Sequence, residues 1–65
     1  VPVKQLPSAV TAAIKNRFPK AELLMAERDV DNGRVVYEVI VRSNGQIFDV
    51  DVTPNGRILK IDRED

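Results

Sequence analysis

The alternation of apolar and polar residues from Arg34 to Arg42 predicts the central strand of this chain. Side chains along a strand point alternately to its two faces, so every second residue shares a face. β-branched and aromatic residues, which favour strands, dominate the stretch. One face of the predicted strand carries only apolar and aromatic residues, namely Val35, Tyr37, Val39 and Val41.

Three Asn-Gly dipeptides, at positions 32–33, 44–45 and 55–56, separate four predicted strands. Asn-Gly favours a two-residue type I′ hairpin turn, because that turn needs positive φ at both central residues. We therefore predict an up-and-down antiparallel meander in the strand order 1-2-3-4. The predicted strands are Glu22–Asp31, Arg34–Ser43, Gln46–Thr53 and Arg57–Asp62.

Two-residue turns also predict the register of the sheet. In this register apolar residues lie opposite apolar residues on one face, and a shift by one residue would move them to the other face. The exception is Arg28, which lies opposite Tyr37. The aliphatic part of the Arg28 side chain would pack on the Tyr37 ring, or a bulge would reorient Arg28. The predicted apolar pairs are Val30–Val35, Ala26–Val39, Leu24–Val41, Val41–Phe48, Val39–Val50, Tyr37–Val52, Val52–Leu59 and Val50–Ile61.

A helical period of apolar residues precedes the strands and predicts a helix from Pro7 to Phe18. Proline suits the first helical position, and Pro19 ends the helix because the residue before a proline avoids the helical conformation. The predicted apolar face of the helix consists of Leu6, Val10, Ala13, Ile14 and Phe18.

A hairpin sheet is not stable alone in water, so the helix is expected to cover its apolar face. We predict an α+β fold with one N-terminal helix packed on one face of a four-stranded antiparallel meander. Residues 1–5 form an extended lead-in, and residues 6–65 form a single domain. The side chains predicted to be buried are Ile14, Phe18, Tyr37, Val39, Val50 and Leu59.

Composition excludes several classes of function. The 65 residues include no Cys and no His, which excludes disulfides, cysteine nucleophiles and histidine bases. Net charge is zero, but residues 1–21 carry four basic residues and no acid. Lys15, Arg17 and Lys20 suit a helix C-terminus, and without interleaved aromatic residues the four cations do not predict a nucleic-acid surface. The chain has no apolar run long enough to predict membrane insertion.

Two patterns of acidic residues suggest calcium binding or hydrolysis, and neither pattern is sufficient to predict that function. The stretch from Asp51 to Asp62 has acids, Asn and Gly near the spacing of a calcium loop, but Pro54 lies inside it and strands flank it. Carboxylates on the open side of the sheet could pair for hydrolysis, but a flat sheet has no pocket to raise one pKa. We therefore expect no metal, no cofactor and no enzymatic activity.

The second face of the predicted sheet has no element left to cover it. An antiparallel sheet often has one face in water, so a merely solvated face is one interpretation. The other is a protein contact surface, because apolar anchors with a charged rim are typical of interfaces. An acidic rim would favour a basic partner. The candidate binding residues are Met25, Ile40 and Ile47 at the centre, with Glu27, Glu38, Arg42, Asp49 and Asp51 around them.

The order of these segments resembles the PepSY-like domains, a group compared with the repeats of β-lactamase-inhibitor protein. The segments that carry the resemblance are Leu6-Pro7, Phe18-Pro19-Lys20-Ala21, Tyr37-Glu38-Val39, Val50-Asp51-Val52 and Asn55-Gly56-Arg57-Ile58-Leu59.

The resemblance covers about Leu6 to Ile61 and implies a small α+β module that binds or inhibits a partner protein, such as a peptidase. It also implies export to the periplasm, the cell envelope or the medium, and it brings no catalytic residues. The alternative is a structural unit, or a self-associating subunit, of a larger envelope protein.

Overall fold

A computed structural model of the chain describes residues 1–64 and shows the predicted α+β meander. The sheet has the order β1-β2-β3-β4, and each neighbouring pair of strands is antiparallel. The last residue of the predicted domain, residue 65, lies outside the described part. The elements are a 3₁₀ turn at Val3–Gln5, helix α1 at Ser8–Arg17, and strands β1 at Glu22–Asp31, β2 at Arg34–Ser43, β3 at Gln46–Val52 and β4 at Ile58–Arg63.

The N-terminal segment is not the extended lead-in that the sequence suggested. It contains the 3₁₀ turn Val3–Gln5, and the ammonium group of Val1 donates a hydrogen bond to the carbonyl oxygen of Ala26 at 3.0 Å. Leu6, which follows the turn, is buried with the core. The segment is therefore hydrogen-bonded to the backbone of β1, the strand at one edge of the sheet.

Helix α1 is one residue shorter at each end than predicted. Pro7 is the N-cap residue and not the first helical residue, and its carbonyl oxygen accepts hydrogen bonds from the backbone N–H groups of Val10 and Thr11. At the other end Phe18 is extended, with φ −117° and ψ 111°. This is the effect expected of the following Pro19, which excludes the helical conformation from the residue before it.

The core lies between helix α1 and one face of the sheet. The prediction is confirmed for Ile14, Phe18, Val39 and Val50, but Tyr37 is only partly buried, and Leu59 is 52% exposed. The buried apolar side chains are Leu6, Val10, Ile14, Phe18, Ala26, Val39, Val41, Val50 and Val52.

A bulge at Leu24 corrects the predicted register at the start of β1. Leu23, and not Leu24, pairs with Val41, whereas Met25 pairs with Ile40 and the pairs further along β1 are as predicted. A bulge inserts one extra residue, so the residues before it change face relative to a regular strand. Leu23 therefore packs against the core, and Leu24 is exposed.

The third turn and the start of β4 also differ from the prediction. Asn32 and Asn44 have the positive φ of a type I′ turn, with values of 52° and 54°, but Asn55 does not share it. The segment at 53–57 forms a longer loop, in which Thr53 and Arg57 are joined by a backbone hydrogen bond of 2.9 Å. A bulge follows, so Val52 pairs with Ile58 and not with Leu59.

The bulge in β4 exchanges the faces on which Ile58 and Leu59, the first two residues of the strand, were expected to lie. Ile58 packs against the core, and Leu59 is exposed. The predicted pair of Val50 with Ile61 is confirmed, because the bulge lies between the loop and this pair.

Candidate functional site

The candidate site is the face of the sheet opposite helix α1, which we call the open face. Cross-strand pairing arranges its residues in rows. Arg42 lies opposite Ile47, and Ile40 lies between Met25 and Asp49. The central row crosses all four strands and consists of Glu27, Glu38, Asp51 and Lys60.

Every predicted binding residue lies on this face. Met25 is 57% exposed, and Ile40 and Ile47 are partly exposed at its apolar end. The carboxylates lie beside them, because residues two apart on a strand share a face. The predicted set Met25, Glu27, Glu38, Ile40, Arg42, Ile47, Asp49 and Asp51 is therefore contiguous in the register.

Two cations of the open face, Arg42 and Lys60, form ion pairs at its margins. The guanidinium of Arg42 contacts the Glu22 carboxylate, with its Nη2 at 2.8 Å from Oε1. Lys60 Nζ lies 3.3 Å from Asp62 Oδ2, so its contact is with Asp62, although Lys60 lies opposite Asp51 in the register. Both pairs are exposed and contribute little stability. In the described residues no ion pair is formed by the carboxylates of the central row.

Carboxyl groups crowd the middle of the open face. One oxygen from each of Glu38, Asp49 and Asp51 lies within 4.8 Å of the others, and Glu27, Asp29 and Glu38 form a second such group. Within residues 1–64, Asp49 Oδ1 is shielded from solvent and has no hydrogen-bond partner. Three strands thus bring like charges together with no donor between them.

This crowding changes the acidity of two groups. The pKa of Glu38 rises to about 7, first because its protonated form hydrogen-bonds Asp49, then because of burial and the negative charges of Asp49, Asp51 and Glu27. Burial is the first cause of the raised pKa of Asp51, followed by the charge of Asp49, while Lys60 acts in the opposite direction. Glu38 is therefore a group of this face whose charge changes near neutral pH.

The spacing of these carboxylates would also allow them to reach one cation. Hard cations such as Ca²⁺ prefer oxygen ligands, and three acids offer them. Acidic groups commonly lie this close on a surface without binding an ion, so the spacing alone assigns no metal.

Two shallow recesses on the open face could receive side chains of a partner. The first, of about 220 Å³, lies between β1 and β2 and is lined by Met25, Ala26, Glu27, Glu38 and Ile40. The second, of about 460 Å³, lies at the other end of the face. Its lining residues are Asp29, Val30, Asp31, Val36, Asp51 and Leu59. Both combine apolar and acidic side chains.

Sequence reasoning missed the second recess. Leu59 was expected in the core, because a two-residue turn at Asn55-Gly56 would direct it there. The bulge in β4 brings it instead to the open face beside Val36. No local signal in the sequence indicates that bulge, so the apolar area of the open face was underestimated.

Comparison of the chain with family models, with curated proteins and with solved structures gives no match. In the part of the chain that the structure describes, no helix has the length and apolar character needed to cross a membrane.

Proposed function

We propose that this domain is a non-enzymatic protein-binding module and that the open face is its contact surface. The observation that carries the proposal is the exposure of Met25, Ile40 and Leu59 beside carboxylates on a rigid, four-stranded surface. Exposed apolar patches that are surrounded by polar residues often mark interaction sites. The surface offers about 600–800 Å² to a partner, near the size of a modest specific interface.

The charge of the open face selects a basic partner. Arg42 and Lys60 are paired with Glu22 and Asp62, and Arg34 lies at one end of the face, so carboxylates dominate its centre. Cationic side chains of the partner would meet these carboxylates while apolar side chains enter the recesses. Such association weakens as salt is added, because ions screen exposed charges over about 10 Å at 0.1 M.

The resemblance to PepSY-like domains and to the repeats of β-lactamase-inhibitor protein supports binding rather than catalysis. We extend the proposal accordingly to a peptidase or another protein of the cell envelope as the partner, with the domain acting outside the cytoplasm. Inhibition of that partner is the outcome we expect if the open face covers its active site.

Self-association through the open face is the second candidate, favoured by the exposure of Met25 and Leu59. A symmetric contact repeats the same patch on both copies. It would therefore bring the carboxylates of one copy near those of the other, which is unfavourable at neutral pH. For this reason we rank a basic partner above a second copy.

The test is a double variant, Ile40→Glu with Ile47→Lys. Neither side chain is fully buried, so the fold should survive, while the apolar end of the open face becomes charged. A partner captured from the native cell extract by the parent chain and then purified should lose binding to this variant. Titration calorimetry at two salt concentrations measures the loss and its salt dependence.

The matched control is Ala12→Glu with Asn16→Lys, which adds the same two charges to exposed positions of helix α1. This control should bind the purified partner as the parent does. Size-exclusion chromatography at several concentrations tests self-association with the same three proteins. If the folded open-face variant binds as tightly as the parent, the contact lies elsewhere, for example along an exposed strand edge.

A further inference from the structure

One carboxyl oxygen of Asp49 is an acceptor without a donor within the described residues. This oxygen, Oδ1, is shielded from solvent and has no hydrogen-bond partner within residues 1–64. A shielded polar atom without a partner is unfavourable, so such atoms usually indicate a missing donor. Glu38 has a carboxyl oxygen within 4.8 Å of one on Asp49, on the adjacent strand.

The groups around Glu38 and Asp49 are nearly all acidic. On β1 they are Glu27 and Asp29, and on β3 the nearest is Asp51. On β4, Lys60 lies opposite Asp51, and Asp62 lies opposite Asp49. The charged groups of β2 itself on this face are Arg34, opposite Asp31, and Arg42, paired with Glu22. Helix α1 packs on the other face of the sheet, so it places no charged group beside Glu38 and Asp49.

We propose that Glu38 and Asp49 share one proton near neutral pH and that release of this proton allows the open face to bind a cationic partner. Two carboxyl groups this close do not ionise together easily, because the second charge would be formed beside the first. A proton on Glu38 makes it a donor to Asp49. The shared proton thus supplies a donor to Asp49 and removes one charge from the cluster.

The raised pKa of Glu38, about 7, agrees with this geometry. The chain contains no His and no Cys, the side chains that most often titrate near neutrality. A change of charge between pH 6 and pH 8.5 would therefore be concentrated at this cluster. α-Amino groups also titrate in this range, and a variant that keeps the N-terminus corrects for them.

This inference rests on the proposed function, since it describes how binding at the open face is regulated. A cation that contacts both carboxylates competes with the shared proton. If the partner binds only the ionised pair, a Glu38 pKa of about 7 predicts a Kd about tenfold weaker at pH 6 than at pH 8.5.

The first experiment needs no partner. Carboxyl ¹³C NMR of the labelled parent chain follows each acid through a titration from pH 3 to pH 9. Glu38 should titrate with a midpoint of about 7. In Asp49→Asn the midpoint should fall by about one unit or more, because the neighbouring charge is gone. Glu27→Gln, which removes a charge from the adjacent strand without touching Asp49, should move it less. A Glu38 midpoint near that of an ordinary exposed glutamate overturns the proposal.

The second experiment measures binding with a defined cationic probe. The probe is a six-residue peptide of alternating arginine and valine, acetylated and amidated so that its charge is constant between pH 6 and pH 8.5. Calorimetry with the parent chain should show the tenfold gain in affinity toward higher pH. Glu38→Gln should bind with little dependence on pH, because the titrating group is absent while the N-terminus remains.

The outcomes separate this proposal from the proposed function. If Glu38 titrates near 7 but the parent binds the peptide equally at both pH values, the regulation is overturned and the binding surface stands. If Ile40→Glu with Ile47→Lys binds the peptide as the parent does, the assignment of the surface fails. In that case the NMR titration still decides whether Glu38 and Asp49 share a proton.

Discussion

Phe18 connects the end of helix α1 to the sheet. Its side chain is 4% exposed, and its ring centroid lies 4.8 Å from that of Phe48 on β3. The guanidinium of Arg17 lies over the ring of Phe18, 4.9 Å from its centroid. Aromatic pairs of this kind contribute beyond their buried area. The thin core of a chain of this length therefore depends strongly on this residue.

Phe18→Ala should destabilise the fold by about 3–5 kcal/mol, because it leaves a cavity where the ring packed. Urea denaturation followed by circular dichroism measures the change. The control is Leu59→Ala, a truncation of a side chain that is 52% exposed, which should cost far less. Equal losses for the two variants would contradict the assignment of Phe18 to the core and Leu59 to the surface.

Ser43 is the one polar residue that is buried in the described chain, at 4% exposure. Its hydroxyl donates a hydrogen bond to the carbonyl oxygen of Pro19 at 2.7 Å, which joins the end of β2 to the segment after the helix. Ser43→Ala should cost about 1–3 kcal/mol, since it leaves that carbonyl without its donor. Thermal unfolding measures the effect, and Ser8→Ala, at an exposed position, is the control. A loss no larger than that of Ser8→Ala would mean that water replaces the hydroxyl.

At the scale of elements, the third loop brings the sheet against the helix. Gly56 has φ +92°, and a Cβ built on it would lie 2.8 Å from the carbonyl oxygen of Ala9. Gly33 and Gly45 also have positive φ, but a Cβ on either would meet no atom within 4 Å. The glycine of the third loop is thus needed for close packing as well as for backbone conformation.

Gly56→Ala should therefore be more destabilising than Gly45→Ala. The left-handed conformation alone costs a residue with a Cβ about 1–2 kcal/mol, and this applies to both variants. The contact with Ala9 adds a further cost only at Gly56. Comparison of the two melting temperatures measures the difference. Equal losses would show that the loop moves away from the helix without penalty.

For the whole molecule, the distribution of charge matters more than its sum. The net charge is zero, yet residues 1–21 carry four basic residues and no acid, while the open face concentrates carboxylates. Folding brings these carboxylates together from three strands. An acid with a raised pKa in the folded state binds more protons there than in the unfolded chain, so stability declines as pH rises.

The free energy of unfolding should accordingly fall between about pH 4.5 and pH 7, the ordinary and folded-state pKa values of Glu38. The raised pKa of Asp51 acts in the same direction. Thermal melts from pH 4.5 to pH 8.5 measure the profile. Glu38→Gln should be more stable than the parent at pH 8.5 and should flatten the profile. A parent chain whose stability rises across this range would contradict the expectation.

Local patterns in the sequence determined most of the architecture. Three local patterns were sufficient to predict the helix, the strand order and the central register. They are the alternation around Val39, the Asn-Gly turns at 32–33 and 44–45, and the helical period of Val10, Ile14 and Phe18. The eight predicted surface residues also lie together on the open face, because a two-residue period and an antiparallel register follow directly from the chain.

Tertiary structure decided the positions where the backbone departs from regular geometry. The bulges at Leu24 and Leu59 each insert one extra residue into a strand, and the alternation of apolar and polar residues does not specify where such a residue is inserted. The raised pKa of Glu38 is likewise a product of folding, since the hydrogen bond to Asp49, burial and neighbouring charges arise only when the strands pair. The sequence by itself therefore determined which face is open, and only the folded sheet decided which apolar groups it exposes and how its carboxylates interact.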